Sequence, residues 1–134
     1  MESSALRALA PLADVSDAGL ARVASSCAEL EAGAGQVIAL PDDPGSGMFI
    51  IREGTVAVEL RGATLELGPG DFFGELALLV DDANRVARVR ATTPVRCLSI
   101  PRDDFLALIE TEPGFAVHLL RELARRLTEA RTPS

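Results

Sequence analysis

The chain has 134 residues, 48% of them hydrophobic, and 13 basic against 20 acidic side chains give a net charge of -7. That balance bounds it to one globular core and disfavours a nucleic-acid partner. The single histidine, His118, and two cysteines, Cys27 and Cys97, that form no CxxC pair leave zinc sites, metal-dependent cupin chemistry and Ser-His-Asp catalysis without their usual ligands or base.

No apolar run reaches the length of a membrane span, and the segment after Glu2 has no hydrophobic stretch of signal-peptide length. A cytoplasmic protein without a membrane partner is therefore expected. All the basic residues are arginines, and they are unevenly placed. Residues 1–82 hold 14 acids and 4 Arg, net -10, whereas 83–134 hold 6 acids and 9 Arg, net +3. The positive stretch invites a small anion.

The first thirty residues read as helical. Leu6, Leu9 and Leu12 lie at near-helical spacing, Pro11 separates two pieces, and Ser16 stands as an N-cap before Leu20, Val23 and Cys27. From Gly33 the apolar period drops to 2 and Gly, Pro and Asp punctuate short runs. Strands are expected at Gln36–Leu40, Gly47–Arg52, Thr55–Leu60, Thr64–Leu67, Arg85–Ala91 and Val95–Ile100. Within Thr55–Leu60, Val56, Val58 and Leu60 share one face, as a half-buried strand requires.

After Pro101 the helical period returns in Asp103–Glu110 and again from Pro113 to about Ala130. In the second piece Ala116, Leu120, Leu123, Leu127 and Ala130 repeat at 4-3-4-3 spacing, a seam to be buried on the roll, on a ligand or on a second copy. The expected fold is α+β, mainly β: an antiparallel β-roll or double-sheet, jelly-roll-like barrel with N-terminal helices and two C-terminal closing helices. One domain over 1–134 follows, with helices in 1–30, the roll in 33–101 and the closing helices in 102–131.

The chemistry concentrates in residues 70–91. Gly70-Asp71-Phe72-Phe73-Gly74-Glu75-Leu76-Ala77-Leu78-Leu79 reads as a glycine-bearing turn into one short apolar helical turn, and an Asp-rich loop then returns to Arg85. Free N–H groups at such a turn and a guanidinium fork can meet around one anion, while the Glu75 carboxylate can accept from sugar hydroxyls. A ligand carrying both phosphate and ribose suits this pair. Taken alone, Glu75 and Arg85 read better as a buried ion pair that holds a loop, with Gly74 a turn glycine. Arg88, Arg90, Arg96 and Arg102 read as a solvated face, His118 as a polar-face residue, and the two cysteines as small core side chains.

The block Phe73-Gly74-Glu75-Leu76-Ala77-Leu78-Leu79, followed by Arg85 and Ala87, resembles the phosphate-binding cassette of cyclic nucleotide-binding domains. These are the modules of catabolite activator-type regulators and of cyclic-nucleotide-dependent kinases and channels. The resemblance implies that Glu75 accepts from the ribose 2'-hydroxyl and Arg85 pairs with the cyclic phosphate. It implies further that backbone N–H groups at Ala77, Val86 and Ala87 complete the cradle, with Gly74 keeping the backbone approachable.

Asn84 and Val86 depart from the family's commoner proline and hydroxyl residues. Because Val86 offers no hydroxyl to guanine, cyclic AMP is expected over cyclic GMP. Arg125, Arg126 and Thr128, near the end of the last helix, are the candidates to reach the purine. A non-enzymatic sensor with no cofactor and no metal is expected, its output passing through the closing helices to an effector protein or to its own dimer. The chain ends at Ser134, a few residues past that helix, so direct DNA binding is not expected. The alternative is a ligand-free interaction domain with a silent pocket.

Overall fold

In a computed structural model of the chain, the structure describes residues 3–39, 47–60, 63–75 and 88–131. Helix α1 (Ser3–Arg7) and a 3-10 turn at Ala10–Leu12 lead to α2 (Asp17–Ser26). Ser16 caps α2 as its sequence position suggests: its Oγ accepts from the Gly19 N–H at 3.1 Å. Glu112 accepts in turn from both the N–H and the hydroxyl of Ser16, each at 2.8 Å. The start of α2 is thereby tied to a residue ninety-six positions further on.

The N-terminal helical region ends earlier than expected, at Ser26, because Cys27 turns extended and Ala28–Ala32 forms strand β1. Ala-Glu-Leu-Glu-Ala has good helix formers, but it lies opposite β8 residue for residue, from Ala28 against Ser99 to Ala32 against Val95. A complete ladder outweighs a few tenths of a kcal/mol of propensity per residue. Further along come β2 (Val37–Ala39), β3 (Gly47–Glu53), β4 (Val56–Leu60), β5 (Ala63–Leu67), β6 (Phe72–Phe73), β7 (Arg88–Ala91) and β8 (Val95–Pro101). The two-residue β6 is too short to display a period in the sequence.

These strands form two antiparallel sheets, in the orders β1-β8-β3-β6 and β2-β7-β4-β5. Among the described residues no ladder joins them, so the roll is a double sheet and is not closed into a barrel. Two apolar clusters result. One fills the space between the sheets with Ile51, Val56, Leu67, Phe73 and Cys97. The other lies between the first sheet and the helices, with Met48, Ile50, Leu98, Ile100 and Phe105. Neighbouring residues of β3 thus serve opposite clusters, which is why Met-Phe-Ile-Ile reads as a continuous apolar run.

Helices α3 (Arg102–Thr111) and α4 (Pro113–Arg131) close the chain within one or two residues of their expected bounds, and Pro113 opens α4 where a missing N–H costs nothing. The seam expected along α4 is displaced. Phe115, Leu119 and Leu123 are the residues that meet the helix-side cluster, whereas Leu120 and Leu127 are 67% and 63% exposed. Phe115 fixes the rotation by packing edge-on against Phe105, 6.0 Å between centroids. Among the described residues no helix is long and apolar enough to cross a membrane.

Candidate functional site

The described part of the cassette straddles the two clusters. Phe72 and Phe73 pair with Ile50 and Phe49 of β3, so their rings leave on opposite faces of the sheet. Phe73 stacks on Phe49 in the roll interior, centroids 5.0 Å apart, and Phe72 belongs to the helix-side cluster. Gly74 follows with φ +93°, a conformation that side-chain-bearing residues rarely adopt. A Cβ there would also lie 2.8 Å from the Gly47 carbonyl oxygen. Glycine is therefore required twice over, by the torsion and by the approach of β3.

The turn at Gly74 sends Glu75 inward, and its side chain is only 3% exposed. It is the one charged residue buried among the described residues. Its partner comes from α4. Arg126, 11% exposed, lies 3.3 Å from Glu75 Oε1 through Nη1, donates through Nη2 to the Phe72 carbonyl at 2.6 Å, and sits 4.3 Å above the Phe72 ring. One guanidinium thus serves a carboxylate, a backbone oxygen and an aromatic face. Burial pushes the Glu75 carboxyl above the ordinary glutamate range, opposed by the charge of Arg126 and by a backbone hydrogen bond. Glu75 Oε2 and Arg126 Nε have no hydrogen-bond partner among the described residues.

Of the other candidates, Leu76, Ala77, Arg85, Val86 and Ala87 lie outside the described residues. Gly74, Glu75 and Arg126 are brought together. Arg125 is instead on the exposed surface of α4, bridging Glu122 at 2.7 Å and Glu129 at 2.6 Å, and the Thr128 hydroxyl donates to the Ala124 carbonyl at 3.0 Å.

Sequence reasoning offered Arg126 for the purine and did not anticipate its bond to Glu75. The signal was present: Arg126 extends the buried stripe of Phe115, Leu119 and Leu123 by one turn, so the same helix face reaches the cassette.

Of the arginines read as a solvated face, Arg88, Arg90 and Arg96 behave as cross-strand partners. Arg88 pairs with Glu59 at 2.7 Å and Arg90 with the same carboxylate at 3.6 Å, and the Arg88 hydrogen bond is the main cause that lowers the Glu59 pKa. Arg96 lies 3.4 Å from Glu31. His118 tilts against the Phe72 ring at 6.3 Å. Cys97 is buried in the roll, its thiol pushed up to about 11 by desolvation, and no cluster of three potential metal ligands occurs among the described residues.

Residues 29–112 match the family model described as cyclic nucleotide-binding domain. A cyclic nucleotide-gated potassium channel of Mesorhizobium japonicum is 43% identical over 83 residues, 62% of this chain and 23% of the channel. The cyclic AMP receptor protein of Thermus thermophilus is 39% identical over 102 residues, 72% of this chain and 47% of that protein. Among solved structures, a cAMP-binding acyltransferase from Mycobacterium smegmatis superposes with a TM-score of 0.78 at 30% identity, covering 95% of this chain and 41% of that one. The chain thus spans less than half the length of each of these proteins.

Proposed function

Because the chain belongs to the cyclic nucleotide-binding domain family, we propose that it is a non-enzymatic sensor for cyclic AMP that passes occupancy of its cassette to α4. The observation that carries this reading is Glu75: a carboxylate buried at the mouth of the roll and touched by a cation of the closing helix. A purely structural pair would serve no better than apolar packing of the same volume. In this reading Glu75 accepts from the ribose, Arg85 takes the cyclic phosphate with backbone N–H groups of Ala77, Val86 and Ala87, and Gly74 and Leu76 shape the approach. Two relatives whose names state a cyclic AMP ligand, and the absence of a hydroxyl on Val86, favour the adenine nucleotide. Two free thiols, Cys27 and Cys97, suit the reducing cytoplasm.

The output surface is the outer side of α4. Val117, Leu120, Ala124 and Leu127 are all exposed and recur at 3-4-3 spacing, the a and d positions of two heptads. A second copy of this chain, offering the same row, is the partner this pattern fits.

Calorimetric titration with cyclic AMP and cyclic GMP, on the wild type and on Arg85→Ala, tests the site. Binding of cyclic AMP several-fold tighter than cyclic GMP is expected, and a loss of tens-fold or more in the variant. Unchanged affinity in Arg85→Ala overturns the assignment of the phosphate. Sedimentation of Leu120→Glu tests the partner: a wild-type dimer should become monomeric while nucleotide affinity is kept.

A further inference from the structure

On the face of α4 that meets the roll, His118, Glu122 and Arg126 follow one another at one-turn intervals, all of them at least partly buried. Arg126 ends the row on Glu75. Glu122 lies below the ordinary glutamate range, chiefly through its hydrogen bond from Arg125, and the charges of Arg125, Arg126 and His118 act in the same sense against the cost of burial. The Phe72 ring beside the row is met twice. Arg126 stands over its face, 4.3 Å from the centroid, and His118 tilts against it by 55° at 6.3 Å. At the far end of the row, then, is an imidazole, the side chain whose ordinary change of charge falls between about pH 5 and 8.

We propose that His118 is a proton-sensitive fastening between α4 and strand β6. Uncharged, its ring only packs on Phe72. Charged, it completes an alternating row with Glu122, Arg126 and Glu75, and it gains from two partners at once, the Glu122 carboxylate and the π-system of Phe72. The middle of α4 is thus held harder on the acid side of the His118 titration, and that extra hold is lost as pH rises through it. The fastening needs no ligand, and it acts on the helix that the nucleotide is proposed to move.

Two like charges oppose it. Arg126 has its charge met by Glu75 and has Glu122 between it and His118, while Arg121 is exposed on α4. On the elements packed against this stretch the charged groups are acids: Asp14 against Gly114, one turn before His118, and Asp71 beside Phe72, bonded to the Gly68 N–H. Glu112 and Asp104, at the α3 side, are engaged by Ser16 and Arg22. The sequence adds Asp81, Asp82 and Arg85 beyond the described part.

His118 is the only histidine in the chain, so its imidazole signals give one unambiguous NMR titration. In ligand-free protein, Glu122→Gln and Phe72→Leu should each lower the pH at which His118 titrates, and Glu75→Gln should leave most of the effect in place. Chemical unfolding of the wild type and His118→Gln, at about pH 7.5 and about pH 5.5, reads the consequence. On acidification the wild type should gain about threefold in its folding equilibrium relative to the variant. A His118 titration that moves in neither partner variant, or the same pH profile of stability with and without the imidazole, overturns the proposal. Should Phe72→Leu fail to fold, Glu122→Gln and the His118→Gln profile carry the same expectations and refutations. The measurements use no nucleotide, so failure of the cyclic-nucleotide reading and failure of this one are separate results.

Discussion

The two apolar clusters are built on different principles, although they share strands. The roll interior is sealed by facing sheets, so its members, such as Val56 and Ile51, meet partners fixed by ladder register. The helix-side cluster is closed by α1, α2, α3 and α4, whose positions depend on side-chain packing and on a few polar ties such as Glu112 to Ser16. A ladder yields only by breaking rows of backbone hydrogen bonds, whereas packed helices shift with small rearrangements. Phe72 and Phe73 stand back to back on the border, and Glu75 follows within two residues. In the proposed reading, a ligand at the cassette would pull on the rigid cluster through one residue and on the adjustable one through the next.

Truncating the border residues separates the two clusters most sharply. Phe72→Ala and Phe73→Ala should each cost about 3–5 kcal/mol in denaturant unfolding. Only Phe72→Ala should also speed amide exchange along α4, because it removes the ring on which Arg126 rests. Equal protection of α4 in both variants would mean that the clusters move as one body.

The ion pair across the border comes next. Arg126→Met leaves Glu75 buried and unpaired and should cost about 3 kcal/mol at neutral pH, with Glu75→Gln added to it recovering most of the loss. The pH dependence has a definite sign. Since the Glu75 carboxyl is raised, the folded chain holds its proton at a pH where the unfolded chain has released it. This group's contribution to stability is full below the ordinary glutamate value and is lost as pH rises through the raised one. Stability of Arg126→Met should accordingly fall more steeply with rising pH than that of the wild type, and Glu75→Gln should flatten both curves.

Gly74→Ala probes the turn between the clusters. The left-handed torsion and the 2.8 Å approach to the Gly47 carbonyl together should cost about 1–3 kcal/mol, seen as a lower unfolding midpoint. Ser16→Ala should cost least, about 1 kcal/mol, and its amide exchange should rise at the start of α2 and at the α3–α4 junction while the sheets stay protected.

Much of this architecture is legible in the sequence, because local periodicity carries it. The alternation of Val56 and Val58, the cap at Ser16, the start of α4 at Pro113 and the presence of a turn at Gly74 are each signalled by neighbours within a few residues. Strand β1 is not legible, since Ala-Glu-Leu-Glu-Ala suits a helix until β8, nearly seventy residues later, supplies its ladder. Nor is the partner of Glu75, which lies fifty-one residues away. Periodicity placed Arg126 on the stripe of Phe115 and Leu119, but which object that stripe would meet was decided by the packing of Phe105 against Phe115 and by the height at which α4 crosses Phe72. Identity and spacing along a chain determine which side chains share a face. Only the tertiary structure determines what two faces, brought together from distant positions, do to each other's charge.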